Sequence, residues 1–248
     1  MKILLILLSI FYINAALAKD FKVGVENINY YPHYDFTDGK KSGYIYELLE
    51  LFSVKNNHKF TYVVLPIKRL RKKLLETNQI DFMYPDNPIW EKYLNSVDNK
   101  IYSDAIITAV GGTLVRKENL GKGVYSVKSL SAPHGFTSTE WLKIKKQRSL
   151  KILAVQDAQS ALDVIIKDRV DAADVEFNVA QHLLKAMGKQ NEVKLDPSLP
   201  YIDISFKLST KNHISIINEF NVFLSENKQS IDALKKKYQL IESINEIL

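Results

Sequence analysis

The fold is decided by the stretch from Phe21 to Tyr84, which contains FKVGV (21–25), GYIYELLELF (43–52), FTYVVLP (60–66) and IDFMY (80–84). The first segment alternates like a short strand, and the third and fourth segments are also predicted to be strands. The second segment has apolar residues at helical spacing, and the basic segment after the third has the same spacing. This order predicts strand–helix–strand–helix–strand, and such alternation indicates a parallel sheet with helices on its faces.

The same alternation restarts in the second half of the chain, after a long extended stretch at 102–115. It predicts a second α/β unit, followed by a strand and two amphipathic helices. The predicted strands are 129–136, 150–155, 170–176 and 202–208, and the predicted helices are 137–147, 160–167, 178–187, 214–225 and 230–240.

The N-terminus has the pattern of a secretory signal peptide. Lys2 precedes an apolar run, Ile3–Phe11, and Ala16-Leu17-Ala18 is a small-residue cleavage site. The alternative is an uncleaved membrane anchor, but the apolar run is shorter than the roughly 18–20 residues that a spanning helix needs. We therefore expect cleavage after Ala18 and a periplasmic mature protein.

The composition is that of a folded globular protein, with 46% hydrophobic and 25% charged residues. The chain has no cysteine, which excludes disulfides and thiolate metal sites. The five histidines lack metal-ligand spacing, and no cofactor-binding motif occurs, so we expect neither a metal nor another cofactor. The formal net charge of +6 comes with basic stretches that are best explained as solvated helix faces, so we expect no nucleic-acid partner.

Five short motifs follow one another along the chain: YYPH (30–33), GYIYEL (43–48), YSD (102–104), RVDAA (169–173), and Ile231 with KY (237–238). Each motif alone is weak. In this order, behind a signal peptide, they resemble the extracellular solute-binding proteins of the polar amino-acid type, also called type II periplasmic binding proteins. The resemblance covers essentially all of the mature chain.

The resemblance implies an α/β fold of two lobes joined by two crossing hinge strands. Lobe 1 would comprise 19–108 together with 203–248, and lobe 2 would comprise 109–202. A small polar, amino-acid-like ligand would bind in the cleft and the lobes would close around it. The protein would be a monomer that delivers its ligand to the permease of an ATP-driven (ABC) importer.

Members of this family that bind amino acids hold the ligand carboxylate with a lobe 1 arginine, which lysine cannot copy as a bidentate partner. The corresponding interval, 85–93, contains no arginine. Either Lys92 supplies a weaker charge there, or Arg69 supplies it from a Pro-x-x-Arg motif that begins at Pro66. The alternative for Arg69 is a surface charge on a basic helix. Trp90 would form an apolar or stacking wall.

On lobe 2, the resemblance implies a ligand-binding Ser or Thr at a helix start, which makes Ser138 and Thr139 candidates. The alternative is structural, because Thr137 and Glu140 have the spacing of a capping box.

The resemblance also implies a carboxylate that binds the ligand ammonium, and its position corresponds to Glu176. The alternatives are a strand-end carboxylate paired with a lysine, or Asp174 in the same role, deeper on the same strand face. On lobe 1, Asn27 and Tyr30 occupy the loop positions that usually touch the ligand.

Two rival functions remain open at this stage. A few exported members of the fold are dehydratases of small cyclic carboxylic acids, in which a cleft carboxylate such as Glu176 acts as general acid or base. The protein could also be a sensor that docks to a membrane receptor without transport. Because no catalytic motif occurs in the sequence, a binding protein is the preferred prediction and an enzyme is not expected.

Overall fold

The structure, a computed structural model, describes residues 19–94, 99–134 and 136–247, without the side chains of 92–94. The predicted signal peptide lies outside the described residues. In the part of the chain that the structure describes, no helix is long and apolar enough to cross a membrane.

The described residues alternate between strands and helices along most of the chain. The strands are β1 (Lys19–Glu26), β2 (Asn29–Tyr30), β3 (Tyr34–Asp35), β4 (His58–Leu65), β5 (Phe82–Asp86), β6 (Ile101–Tyr102), β7 (Ile107–Arg116), β8 (Ser129–Pro133), β9 (Lys151–Val155), β10 (Ala172–Glu176), β11 (Val193–Leu195) and β12 (Tyr201–Thr210). The α-helices are α1 (Tyr44–Lys55), α2 (Ile67–Leu75), α3 (Pro88–Leu94), α4 (Thr139–Lys145), α5 (Ala158–Ile166), α6 (Phe177–Ala186), α7 (Ile214–Glu226) and α8 (Lys228–Lys237).

The first α/β part has the predicted strand–helix–strand–helix–strand order. β1 lies between β4 and β5 and runs parallel to both. Helix α2 packs on β1 and β5 directly over Gly24. A Cβ at Gly24 would lie 2.5 Å from Ile80 Cδ1 and 2.9 Å from Leu70 Cδ2, so a side chain here would have to displace these two methyl groups.

The second α/β part confirms the renewed alternation predicted for the second half. β8 lies between β9 and β10 and runs parallel to both, whereas β7 is antiparallel to β10. Helix α5 packs on β8 and β10, and α6 packs on β7 and β10. A separate group of buried side chains around Trp141, Leu130 and Val115 fills the core beside α4.

Strands β7 and β12 join the two parts of the sheet. Residues 201–206 of β12 pair antiparallel with 107–112 of β7. Beyond them β12 changes partner and pairs with β5 and β6, with a register shift between Lys207 and Ser209. The sheet therefore runs continuously in the order β4-β1-β5-β12-β7-β10-β8-β9.

The C-terminal helices α7 and α8 pack on the first part. Phe52 of α1 contacts Phe220 and Phe223 of α7 at ring-centroid distances of 4.9 and 5.3 Å. Glu47 of α1 accepts hydrogen bonds from Lys237 Nζ and from the Tyr238 hydroxyl, at 2.6 and 2.7 Å. The chain thus returns to its first α/β part after the second one is complete.

The sequence did not predict β2, β3, α3 or β11, all of which are short. Asn87 caps α3, because its Oδ1 accepts a hydrogen bond of 2.8 Å from the Ile89 N–H. Pro88 occupies the first helical position, where its missing N–H costs nothing.

Candidate functional site

A cavity of about 220 Å³, here called the cleft, lies where the two parts of the sheet meet. Its walls come from the carboxyl ends of β1, β5 and β10, from α2, α3 and α4, and from β12. Ligands of open α/β sheets bind at the carboxyl ends of the strands. The position and the concave shape of the cleft are therefore those of a small-molecule site.

Three carboxylates that line the cleft form what we call the acidic cluster: Glu26, Asp174 and Glu176. Glu26 is the last residue of β1 and Glu176 the last residue of β10, and Asp174 lies two residues earlier on the same strand face. Tyr30 lies among them. Burial raises the pKa of its hydroxyl well above the usual value, and the charges of Glu176, Glu26 and Asp174 raise it further.

The Tyr30 side chain is directed into the cleft without a polar partner. Tyr30 is only 4% exposed and belongs to the cleft lining. Within the described residues its hydroxyl makes no hydrogen bond. The hydroxyl oxygen is not among the fully buried side-chain atoms that lack a partner, so it is open to the cleft and available to a bound molecule.

Glu26 is buried, and no cation pairs with it among the side chains that the structure describes. The Tyr34 hydroxyl donates a hydrogen bond of 2.8 Å to Glu26 Oε2. Burial raises the pKa of Glu26 from 4.5 to about 7, and the Tyr34 hydrogen bond only partly opposes this shift. Sequence reasoning missed Glu26, although its signal was present: it is the carboxylate at the end of the first parallel strand.

Asp174 has a similar environment on the opposite wall of the cleft. Burial raises its pKa from 3.8 to about 6, and a hydrogen bond from the Ser138 side chain opposes the shift. Glu26 and Asp174 are therefore two carboxyl groups whose surroundings disfavour a negative charge unless a cation approaches.

Glu176 differs because the protein already satisfies it. Its Oε2 accepts a hydrogen bond of 2.8 Å from the Val179 N–H, and its Oε1 accepts one of 2.8 Å from Asn178 Nδ2, so it caps α6. His33 Nε2 lies 3.1 Å from Oε2, which is ion-pair distance without hydrogen-bond alignment. Burial opposes ionisation of Glu176, but His33 and these hydrogen bonds outweigh it and lower the pKa.

A fourth cleft carboxylate, Asp86 at the end of β5, is balanced inside the protein. Lys100 Nζ lies 2.6 Å from Asp86 Oδ2, and the Lys100 side chain is fully buried. The Ser209 hydroxyl donates a further hydrogen bond of 2.6 Å to the same oxygen. Asp86 thus has its counter-ion in place, unlike Glu26 and Asp174.

Aromatic rings cover the acidic cluster from both parts of the fold, and we call Tyr30, Phe136, Trp90 and Phe206 the aromatic wall. Tyr30, the last residue of β2, stacks on Phe136, which precedes α4, with the ring centroids 5.4 Å apart. The ring centroid of Phe206 lies 6.1 Å from that of Trp90 and 6.5 Å from that of Tyr30. The cleft therefore combines acidic groups with stacking surfaces.

Four of the sequence-predicted residues line the cleft, namely Tyr30, Trp90, Thr139 and Glu176. Ser138 is next to this lining and bonds to Asp174. Asn27 is exposed and lies outside the lining, as its backbone N–H pairs with the Leu65 carbonyl. The side chain of Lys92 lies outside the described residues.

Arg69 is exposed and lies outside the cleft lining, although it belongs to α2. The α2 residues that reach the cleft are Ile67, Lys68 and Arg71. At 100° per residue, Arg71 returns to the side of Ile67, while Arg69 projects elsewhere. Choosing the right basic residue required knowing which face of α2 packs on the sheet.

The capping box expected from Thr137 and Glu140 is wrong. Helix α4 begins at Thr139 with Ser138 at its cap position, and no side chain caps it. The Thr139 N–H instead donates to the Thr137 carbonyl at 2.8 Å. The local backbone thus occupies one of the N–H groups that a helix start could offer to a ligand.

Comparisons with known proteins resolve the fold. No protein-family model matches the chain, and no curated protein matches it. Solved structures do match, each over nearly their full length and at low identity. An arginine transport-system periplasmic binding protein from Legionella pneumophila has a TM-score of 0.68 at 14% identity, covering 89% of this chain and 100% of that one. The chain has the type II periplasmic-binding-protein fold.

Two other structural neighbours show how varied the proteins with this fold are. The GluR0 ligand-binding core in complex with L-glutamate has a TM-score of 0.72 at 13% identity, covering 90% of this chain and 99% of that one. An ancestral amino acid-binding protein, described as a precursor of cyclohexadienyl dehydratase, has a TM-score of 0.67 at 20% identity, covering 88% and 94%. The two-lobed α/β fold predicted from the motif order is therefore confirmed.

Proposed function

We propose that this protein is a periplasmic solute-binding protein that captures a small polar ligand by lobe closure and delivers it to an ABC importer. The observation that carries the proposal is the cleft itself, where buried carboxylates and aromatic rings from both α/β parts converge at strand ends. The structural neighbours support it, since the protein from Legionella pneumophila is named as part of a transport system.

The proposed lobes are 19–108 with 203–248, and 109–202. The strand pairing supports this division, because the two parts are joined through β7 and β12. A ligand in the cleft would touch Tyr30 and Trp90 from lobe 1 and Thr139 and Glu176 from lobe 2. By contacting both lobes it stabilises the closed arrangement.

Export and assembly belong to the same proposal. Cleavage after Ala18 would release the mature chain into the periplasm as a monomer, with an inner-membrane permease as its partner. A sensor role would use the same capture step and differ only in the receiving membrane protein. Solute uptake by cells that lack the gene, compared with cells that carry it, separates the two roles.

The chain's two tryptophans offer a direct test, because Trp90 and Trp141 both line the cleft. Intrinsic fluorescence should change when purified protein is titrated with its ligand from a panel of amino acids, polyamines, organic acids and sugars. The same solute should raise the unfolding free energy by about 2.7 kcal/mol at a hundredfold excess over its Kd. A panel that leaves both fluorescence and unfolding unchanged contradicts solute binding.

A dehydratase is the second candidate function, and the pKa values of two cleft carboxyl groups support it. A carboxyl group with a pKa near the working pH is suited to general acid–base catalysis, as Glu26 at about 7 and Asp174 at about 6 are. One structural neighbour is described as the precursor of a dehydratase. Glu176 is less suited to donate a proton, because its pKa is lowered.

Mass spectrometry separates these two functions. Wild-type protein incubated with small cyclic hydroxy acids should leave them intact if it is a binding protein. If the wild-type protein removes water from one of these acids and the Glu26→Gln variant does not, the protein is an enzyme instead.

A further inference from the structure

The charged side chains that line the cleft include more carboxylates than cations. Of its buried carboxylates, Asp86 is paired with Lys100, and Glu176 lies beside His33. Over residues 19–94, 99–134 and 136–247, the side-chain partners of Glu26 and Asp174 are hydroxyl groups, not cations. Uncompensated charge at a buried site is costly, so a bound cation would be favoured there.

The places where a ligand carboxylate would bind are occupied or acidic. At the start of α4, the Thr139 N–H is bonded to the Thr137 carbonyl and the Ser138 side chain to Asp174. Glu140 also lines the cleft at this point. The helix start thus already uses the Thr139 N–H and the Ser138 hydroxyl, and an anionic group placed here would lie close to the Asp174 carboxylate.

Among the side chains that the structure describes, the basic residues that line the cleft belong to α2. Lys68 is exposed, whereas Arg71 is half-buried and already interacts with another group of the protein. Burial and the nearby carboxylates raise the pKa of the Tyr102 hydroxyl, and the charge of Arg71 only partly opposes that rise. An exposed lysine is a strongly hydrated point charge and a weak carboxylate partner. The buried part of the cleft therefore offers a ligand negative charge and aromatic surface.

Tyr30 links these two features. Its ring belongs to the aromatic wall, and its hydroxyl, without a hydrogen-bond partner in the described part of the chain, lies among the three carboxylates. An ammonium group could approach the carboxylates while its carbon skeleton stacks on the rings, and aromatic faces attract cations as well.

We infer that the ligand of this cleft is a small organic amine that carries a net positive charge and no carboxylate. The ammonium lies at the acidic cluster and the apolar body lies against the aromatic wall. This inference rests on the proposed function, solute capture in the cleft, and adds the ligand class.

Decarboxylation pairs test it, because each amine differs from its amino acid only by the carboxylate. We would titrate the protein calorimetrically with 2-phenylethylamine and L-phenylalanine, agmatine and L-arginine, and cadaverine and L-lysine. For at least one pair, the amine should bind ten or more times tighter than the amino acid. 2-Phenylethanol, which keeps the ring but lacks the charge, should bind at least tenfold more weakly than 2-phenylethylamine.

Conservative variants test whether the acidic cluster is responsible for binding the amine. Glu26→Gln and Asp174→Asn should each weaken binding of the amine tenfold or more, while Glu226→Gln, on the exposed end of α7, should leave it unchanged. Circular dichroism confirms that each variant is folded.

Three results overturn the inference. If every amino acid binds tighter than its amine, the ligand carries a carboxylate, yet solute capture stands. If no pair binds while another solute in the wider panel does, the ligand class is wrong and solute capture again stands. Absence of binding by every solute in the panel overturns both.

Discussion

Glu26 shows how a single residue of the cleft opposes stability. Its folded-state pKa, about 7, lies above the ordinary value of 4.5 because the carboxyl group is buried. Below pH 4.5 the group is protonated in both folded and unfolded chains and contributes nothing. As the pH rises from 4.5 past 7, the Glu26 carboxyl ionises more readily in the unfolded chain than in the folded one. The free energy of unfolding therefore falls by about 3 kcal/mol over this range.

Glu26→Gln should therefore raise the unfolding free energy at pH 8 by about 2–3 kcal/mol and leave it nearly unchanged at pH 4. Urea denaturation at the two pH values measures this difference. Tyrosines 30 and 34, which face Glu26, stay protonated over this range because burial raises their pKa values. An equal effect at both pH values, or the same effect in Glu226→Gln, would contradict the account.

Glu176 has the opposite role, since the fold depends on it. Replacing it by Ala removes the cap of α6, leaves the Val179 N–H without its acceptor and removes one of the two acceptors of Asn178 Nδ2. We expect a loss of about 2–4 kcal/mol of unfolding free energy, together with weaker ligand binding. Thermal unfolding of Glu176→Ala measures this loss, with Glu192→Ala, which removes an exposed carboxylate, as the control. Equal unfolding midpoints for the two variants would show that the cap contributes nothing.

At the scale of single residues, the sequence identified Tyr30, Trp90, Thr139 and Glu176 as residues that line the cleft. It did not identify Glu26 or Phe136, because their importance depends on what lies opposite them in space. Phe136 precedes α4 and reaches the cleft only because Tyr30 of the other α/β part stacks on it. Contacts of that kind have no local sequence signal.

Among the elements, the loop from β1 to α1 positions Tyr30 and His33, and it depends on Gly43. Gly43 precedes α1 with φ +100°, and a Cβ there would lie 2.6 Å from Tyr34 Cα and 2.8 Å from the His33 carbonyl oxygen. Both the positive φ and the contact with the backbone exclude a side chain.

Gly43→Ala should therefore cost more than about 2 kcal/mol of unfolding free energy. Gly121→Ala is the matched control, because Gly121 also has a positive φ, +72°, but has open space around its Cβ position. It should cost about 1 kcal/mol. Equal losses for the two variants in chemical denaturation would show that the contact with the 33–34 backbone is unimportant.

The element order could be predicted largely from hydrophobic periodicity. Strands β1 and β5 and helices α1 and α2 bury continuous or evenly spaced apolar residues, and such signals are local. The missed elements are short: β11 has three residues and takes its conformation from pairing with β7. Pairing with a distant strand cannot be predicted from three residues.

For the whole molecule, the arrangement of the two α/β parts is set by β7 and β12. Where β12 leaves β7 for β5, its register shifts between Lys207 and Ser209. Strand irregularities of this sort allow bending, and this one lies within the proposed lobe 1, next to the point where β12 leaves β7. The cleft lies beside this crossing, so a ligand that contacts both sides would change the angle between them.

Small-angle X-ray scattering, measured with and without the tightest-binding solute, tests most directly the central claim that two lobes close on a ligand. The radius of gyration of the protein should fall on saturation, and it should stay unchanged when the same solute is added to a variant that no longer binds it. A solute that binds tightly in the cleft yet leaves the radius of gyration of the wild-type protein unchanged would contradict the account.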